Sequence, residues 1–422
     1  MDVVIADVIG EIALVLVFSS LLGLLARRLG QPRVIGQIVA GILLGPTLLG
    51  QLPGHLSSHL FPKATLLPMN VLANVAVVLF MFVVGYELDF RSLRETRRVV
   101  PAVAAAALLV PMALAIGAVF VFRSSFESLG APHHLSRSFV LFMGVAVSIT
   151  ALPVLASITR ERGIAGTTAG VTATAAAGVM DLLAWLLLAA ALIGTVHQAS
   201  RPLAETVLLV LAFTAVMLGV VRPAVRWWIR GKGSRLSSQL PIALALCLGS
   251  AWVTASLGLH PVFGGFLAGL AMPSIDGRPD AEVLRPMEDV GNLLLPLFFV
   301  VTGLSLDIGS LGGEALAVLA LICVIAAAGK TVPAYAASRA GGLNPRDSAT
   351  VAALVNTRGL TELIALNIGL SDGIIGQQLF SVLVLMALIM TLITTPVLSC
   401  FRLPGSEIPS ENATRTVEIL IR

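Results

Sequence analysis

The chain has 422 residues, of which 57% are hydrophobic and only 12% are charged, and its mean hydropathy is +0.96. A soluble domain carries about 25% charged residues, so the composition argues against a water-soluble protein and predicts an all-α polytopic membrane protein. The net charge of +4 does not indicate a nucleic-acid partner, because the arginines are spread between apolar segments. The three cysteines lie within apolar segments and form neither a disulfide pattern nor a metal-ligand spacing.

Apolar segments long enough to cross a bilayer recur along the whole chain. About 20 residues are needed to span the hydrocarbon core. By this measure the sequence predicts about thirteen transmembrane helices, at residues 8–27, 34–50, 67–88, 99–122, 138–159, 166–195, 203–222, 239–257, 260–274, 290–307, 314–338, 347–370 and 377–401. The N-terminus is acidic and has no basic n-region, so the first segment predicts a retained helix and not a cleaved signal.

Basic residues alternate in density between the loops of the two membrane faces. With the N-terminus outside, 21 lysines and arginines face the cytoplasm, and only four face outward: Lys63, Arg123, Arg137 and Arg201. Positive charge in short loops holds those loops in the cytoplasm. The sequence therefore predicts a multi-pass protein of the cytoplasmic cell membrane, with its N-terminus outside and its C-terminus in the cytoplasm.

Two segments that lie 218 residues apart share a motif. Residues 79–89 read LFMFVVGYELD and residues 297–307 read LFFVVTGLSLD, with six of eleven positions identical. The third span runs inward and the tenth runs outward, so the two copies are related by inverted topology, as in many secondary transporters. We predict a first inverted repeat at 1–195 (helices 1–6), a linker helix 7 with a basic cytoplasmic loop at 196–235, a second inverted repeat at 236–402 (helices 8–13) and a short cytoplasmic tail at 403–422.

The fifth and twelfth spans, which correspond in the two repeats, both contain helix-breaking residues. Residues 148–153 read SITALP and residues 356–359 read NTRG. A plain proline kink is the alternative for the first of them. Discontinuous helices at matching positions of two halves indicate a transporter binding site. We predict that the backbone of the two broken helices lines such a site at Ala151, Pro153, Asn356, Thr357 and Gly359.

Asp181 lies in the middle of the sixth span. An ionised aspartate at that depth costs about 2.5–3.5 kcal/mol even on the most lenient insertion scale, so it requires a partner, a wet cavity or a function. A carboxylate there can hold a monovalent cation or a proton, and competition between them for one site couples the two fluxes. The alternative is a neutral, hydrogen-bonded structural aspartate.

Three further charges lie at membrane depth. Lys330, in the eleventh span, is predicted to pair with Asp181 when no cation is bound, although a purely structural ion pair is an equal alternative. Arg358 and Glu362 are four residues apart in the twelfth span, so they share one helical face and are predicted to pair locally. A second proton site at Glu362 is the alternative for that residue.

In these residues the chain resembles the monovalent cation:proton antiporter-2 family, which includes bacterial sodium/proton and Kef-type exchangers and plant CHX exchangers. The similarity covers about residues 8–401 and is most specific at residues 148–155, at 181–185, at Lys330 and at 356–364. The resemblance implies thirteen helices, a homodimer and an elevator-like movement of a core domain against a dimerisation domain. It also implies that Asp181 carries the cation and the proton, with Thr150 and Ser148 nearby.

One position departs from the family pattern. Met180 stands where the family usually has Asp or Asn before the transporting aspartate. A single carboxylate suits one-for-one, electroneutral exchange, whereas a titrating Lys330 would add a second proton. Exchange of one cation for one proton and exchange with a second proton are therefore both alternatives.

The sequence predicts a secondary antiporter, without a cofactor, that exchanges Na⁺ or K⁺ for H⁺ by alternating access. One alternative is a proton- or sodium-coupled transporter of an organic anion or a small drug on the same fold, in which Arg358 anchors the anion. A channel is a second alternative, against which the repeat and the paired breaks argue. An enzyme would need a nucleophile or a metal cluster, and ATP-driven transport a phosphate-binding loop; the sequence shows neither.

Overall fold

The computed structural model describes residues 2–45, 47–51, 60–87, 99–132, 135–192, 203–231, 239–257, 259–274, 279–309 and 311–400. These ranges are helical and contain no strand, which confirms the predicted all-α class. The helices are α1 (Asp2–Arg28), α2 (Arg33–Leu44), α3 (Lys63–Glu87), α4 (Val99–Val121), α5 (Arg123–Ser128), α6 (Arg137–Ser148), α7 (Leu152–Glu161), α8 (Thr168–Leu192), α9 (Leu203–Val216), α10 (Arg222–Gly231), α11 (Gln239–Ser256), α12 (Pro261–Ala271), α13 (Ala281–Leu304), α14 (Gly313–Ala340), α15 (Pro345–Val355), α16 (Leu360–Ser371) and α17 (Gln377–Cys400).

Ten helical segments of the described chain are long and apolar enough to cross a membrane, so the protein is a multi-pass membrane protein. The predicted count of thirteen spans is not confirmed. With 12 and 11 residues, α2 and α12 reach only about 18 and 16 Å, short of the roughly 30 Å hydrocarbon core. The twelfth predicted span consists of two separate short helices, α15 and α16.

The helices pack in two groups, and each group draws on both halves of the chain. The scaffold bundle contains α1, α2, α3, α11, α12 and α13, and the core bundle contains α4, α6, α7, α8, α14, α15, α16 and α17. The closest helix pairs, such as α3 with α12 and α4 with α14, lie within one bundle. The spatial grouping therefore runs across the predicted boundaries at 195 and 236, which remain predictions.

The repeated sequence motif marks two matching helix crossings in the scaffold bundle. At Gly85 of α3, a Cβ would lie 2.3 Å from the carbonyl oxygen of Phe266 in α12. At Gly303 of α13, a Cβ would lie 2.4 Å from the carbonyl carbon of Gly41 in α2. The two glycines occupy the same motif position, and only glycine allows backbones to approach so closely. This matched packing supports the inverted repeat, although residues 88–89 of the first copy lie outside the described residues.

Both predicted helix breaks are present, between α6 and α7 and between α15 and α16. Pro153 lies in the first turn of α7, where its missing N–H has no intrahelical partner to lose, so it starts the second half-helix. Gly359 precedes α16, and a Cβ at this position would lie 2.6 Å from Cγ2 of Val154. Each break is thus fixed by a residue that suits the start of the following helix.

Candidate functional site

The two breaks cross one another inside the core bundle. The backbone N–H of Ala151 donates to the carbonyl of Thr357 over 3.1 Å. The hydroxyl of Thr150 donates to the carbonyl of Val355 over 2.9 Å. Helix α8, which carries Asp181, packs against both α6 and α15. The crossing therefore places irregular backbone from both halves of the chain beside one carboxylate-bearing helix.

Asp181 is buried in this region, with only 2% of its surface exposed. Neither of its carboxylate oxygens has a partner at close hydrogen-bond geometry among the described residues, and the indole N–H of Trp185, one turn further along α8, interacts with the carboxylate only at longer range. A buried carboxylate without a donor carries a large desolvation penalty in its ionised form. Either a proton or a bound cation removes that penalty, so Asp181 is suited to hold one or the other.

The two hydroxyl residues predicted to bind the cation have different surroundings. The oxygen of Thr150 lies 3.8 Å from Sδ of Met180, the residue before Asp181. Because its hydrogen is donated to a carbonyl, this oxygen keeps its acceptor lone pairs. The hydroxyl of Ser148 instead donates to the carbonyl of Val145 within its own helix, over 3.0 Å. Thr150 is therefore the better placed of the two for a role beside Asp181.

Two buried cations cap the C-terminal end of α6. The carbonyls of residues 146–149 lack intrahelical partners, and the helix dipole gives this end partial negative charge. Nζ of Lys330, from α14, donates to the last two carbonyls over 2.6 and 2.8 Å. The guanidinium of Arg358 donates to the carbonyl of Ala146 over 3.1 Å and to that of Val147. Both cations are fully buried, so they neutralise the first break from inside the bundle.

The predicted ion pair between Asp181 and Lys330 is not formed in this structure. The ammonium group of Lys330 is held by the carbonyls of Ser148 and Ile149, and no ion pair of the described residues joins it to Asp181. The two charges still interact electrostatically. The carbonyls at the break therefore determine where Lys330 lies.

Arg358 and Glu362 form the local ion pair that their spacing predicts. Nη1 of Arg358 lies 2.9 Å from Oε1 of Glu362, and both side chains are completely buried. The second carboxylate oxygen of Glu362 has no partner among the described residues. Because the terminal nitrogens of Arg358 already face protein acceptors, they are poorly placed to anchor an organic anion.

Hydroxyl groups cap the C-terminal end of α15 at the second break. The hydroxyl of Thr357 donates to the carbonyl of Leu354 over 2.6 Å, next to the carbonyl that Thr150 caps. The amide nitrogen of Asn356 lies 3.9 Å from Sδ of Met390, and its amide oxygen is buried without a partner among the described residues. The second break thus offers a free neutral oxygen, that of Asn356, and the groups that cap its carbonyls are uncharged hydroxyls.

Sequence reasoning missed the part that α17 plays in the site. The hydroxyl of Thr391 donates to the carbonyl of Arg358 over 2.9 Å and supports the second break from outside. Met390 lies beside Asn356. No signal in the sequence separates these residues from the other threonines and methionines of an apolar helix.

The sequence is similar to known families and proteins along most of its length. The family described as "Sodium/hydrogen exchanger, transmembrane" matches residues 14–401. The chain is 36% identical over 395 residues to Na(+)/H(+) antiporter NhaS4 of Synechocystis sp.. This match covers 92% of this chain and 95% of that protein. It is 37% identical over 411 residues to Cation/H(+) antiporter 20 of Arabidopsis thaliana, covering 94% of this chain and 48% of that protein.

The chain spans about half the length of the plant relatives that it matches. A solved structure with the same fold is the sodium proton antiporter MjNhaP1 from Methanocaldococcus jannaschii. The TM-score is 0.66 at 16% sequence identity, over 94% of this chain and 97% of that chain. At this identity the likeness concerns the fold alone.

Proposed function

Because this chain belongs to the sodium/hydrogen exchanger family, we propose that it is a secondary antiporter that exchanges Na⁺ or K⁺ for H⁺ across a membrane. Asp181 binds the cation and the proton in turn. The observation that carries this proposal is its buried carboxylate, which lies on a helix packed against both sides of the crossed breaks and accepts no close hydrogen bond from the described residues, with Trp185 interacting only at longer range. A proton and a cation compete for such a group, because either one neutralises it and the two together overcharge it.

Neutral oxygens complete the proposed cation site. The hydroxyl oxygen of Thr150 and the amide oxygen of Asn356 keep free lone pairs beside the crossing. Arg358 and Lys330 make the end of α6 positive and so repel a cation from it. The cation is thereby directed to the side of the crossing where Asp181 and the hydroxyl-capped end of α15 lie.

The two-bundle architecture supports the proposal of alternating access. The whole site lies within the core bundle, so a movement of that bundle against the scaffold bundle carries Asp181 from one membrane face to the other. We place the protein in the cytoplasmic membrane as a homodimer, with its N-terminus outside and its C-terminus in the cytoplasm. The charge bias of the loops and the bacterial relative support this placement.

A liposome assay tests the proposal directly. Purified protein in liposomes should dissipate an imposed pH gradient when Na⁺ or K⁺ is added, and Asp181→Asn should abolish that response. Glu314→Gln, which neutralises an exposed acidic residue in the first turn of α14, is the matched control and should leave exchange unchanged. Full exchange in Asp181→Asn would refute the assignment of the carrier.

The same assay separates the remaining possibilities. With Met180 beside a single carboxylate, we expect one-for-one exchange whose rate does not change when the membrane voltage is clamped. Exchange that accelerates with voltage would instead indicate a second proton. If no alkali cation elicits a response, while an organic anion does, the anion transporter on the same fold replaces the proposed exchanger.

A further inference from the structure

A polar cavity of about 190 Å³ lies between the scaffold and core bundles, away from the crossed breaks. It is lined by the middle turns of α3, the start of α12, the later part of α13 and the later turns of α16. On the proposed topology the start of α12 and the ends of α13 and α16 face the outside. Its polar lining residues are Asn70, Asn74, His260, Asn367 and Ser371. The mechanism proposed above uses none of them.

The three asparagines present oxygen atoms to this cavity. Their amide nitrogens donate to backbone carbonyls one turn earlier, from Asn70 to Leu66 over 2.8 Å, from Asn74 to Asn70 over 2.9 Å and from Asn367 to Leu363 over 2.9 Å. A carbonyl only accepts, so the nitrogen and not the oxygen of each amide must face it. No hydrogen bond of the described residues ends on the three amide oxygens, two of which belong to the exposed Asn70 and Asn74, so they are available as ligands.

No charged side chain lines the cavity. His260 accepts the backbone N–H of Val262 at its Nδ1, over 3.4 Å, so that nitrogen carries no proton and the ring is neutral. Neutral amide oxygens are hard ligands that suit alkali cations, and without a carboxylate they bind them weakly. A volume of 190 Å³ far exceeds the roughly 30 Å³ of one water, so an ion fits there with part of its hydration shell.

An aromatic pair joins the helix that carries Asp181 to the helix that begins at the cavity. Trp185 of α8 meets Phe263 of α12 edge to face, with ring centroids 5.8 Å apart and planes at 87°. Trp185 lies one turn from Asp181, and Phe263 lies three residues after His260. The pair therefore connects the core bundle to the scaffold bundle, near Asp181 in the first and near His260 in the second.

We propose that this cavity is a second, low-affinity site for a monovalent cation, which the amide oxygens of Asn70, Asn74 and Asn367 hold partly hydrated. The ion waits there and moves on to Asp181 when the bundles, which meet at the Trp185–Phe263 contact, shift against each other. The site rests on the proposed exchange function, and it accounts for a cluster of amide side chains where the two bundles meet, one of which, that of Asn367, also donates to the hydroxyl of Thr302 over 2.9 Å.

Sided transport kinetics test the site. Asn74→Leu removes one oxygen and should raise the KM for cation added at the outer face about tenfold, with the KM at the cytoplasmic face unchanged. Asn74→Asp keeps an oxygen and adds negative charge, so it should lower the outer KM. Asn292→Leu, on an exposed amide that does not line the cavity, is the matched control and should change neither constant. Equal KM changes at both faces, or no change in either variant, would overturn the proposal.

A second measurement needs no transport. In a chain whose native cysteines are replaced, Ser371→Cys, which lines the cavity without being a proposed ligand, combined with Asp181→Asn should react with a charged thiol reagent from the outer face. Na⁺ or K⁺ should slow that reaction several-fold relative to a bulky organic cation. An unaffected rate would refute the cavity site even if wild-type exchange and its loss in Asp181→Asn uphold the exchange function. Absent wild-type exchange would refute the function, and with it the role of the cavity.

Discussion

The two helix breaks occupy matching positions in the chain, yet their ends are neutralised by different chemistry. At the end of α6, the ammonium of Lys330 and the guanidinium of Arg358 cover the carbonyls of residues 146–149. At the end of α15, the hydroxyls of Thr150 and Thr357 cover two carbonyls. A symmetric backbone thus carries an asymmetric charge distribution, and this asymmetry leaves one side of the crossing suited to a cation.

The largest effect is expected at Arg358. Arg358→Met leaves Glu362 as an uncompensated buried charge and exposes two carbonyls at the end of α6, so it should reduce the free energy of unfolding by about 3–5 kcal/mol. Thermal unfolding in detergent measures this loss. The double variant Arg358→Met/Glu362→Gln should recover part of it, because the orphan charge is gone. A double variant less stable than Arg358→Met alone would contradict the pairing.

Substitution of Lys330 should have a smaller effect, because Lys330 is in no direct ion pair among the described residues and its loss leaves no carboxylate unpaired. Lys330→Met removes two charge-assisted hydrogen bonds to carbonyls, and we expect a loss of about 2–3 kcal/mol in the free energy of unfolding. Tyr335→Phe, at an exposed position of the same helix, is the control and should stay within about 0.5 kcal/mol of wild type. A loss as small as the control's would mean that the first break does not depend on its cationic cap.

The hydroxyl-capped break should be less sensitive still. Thr150→Val and Thr357→Val each remove one neutral hydrogen bond, which is worth about 1 kcal/mol in the free energy of unfolding. Only Thr150→Val should also raise the KM for the transported cation, because only that oxygen lies beside Met180 and Asp181. Losses equal to that of Arg358→Met would erase the contrast between the two breaks.

The smallest effect is expected at Ser148. Its hydroxyl donates within its own helix, and its carbonyl, which Lys330 caps, does not depend on the side chain. Ser148→Ala should therefore change the free energy of unfolding by about 0.5 kcal/mol or less and leave exchange kinetics intact. A marked rise in cation KM, measured in the liposome assay, would make the Ser148 hydroxyl a ligand after all.

Much of the candidate site could be predicted from short stretches of sequence. Pro153 and Gly359 mark where the half-helices begin, and the four-residue spacing of Arg358 and Glu362 determines their pairing, because helical geometry alone brings these positions together. Asp181 stands out for the same kind of reason, since a charge at membrane depth is costly whatever surrounds it. The membrane class likewise follows from composition, which needs no contact between distant residues.

Tertiary packing decided the rest. Lys330 caps the carbonyls of residues 148–149 instead of pairing with Asp181, and only the three-dimensional crossing of the breaks brings those groups together. The short helices α2 and α12 pack closely against α13 and α3. Gly41 of α2 and Gly85 of α3 allow these close contacts. The sequence by itself determined which residues are expensive to bury and where helices stop. Only the tertiary structure determined which partner each buried charge finds, because that choice depends on distances between segments some two hundred residues apart.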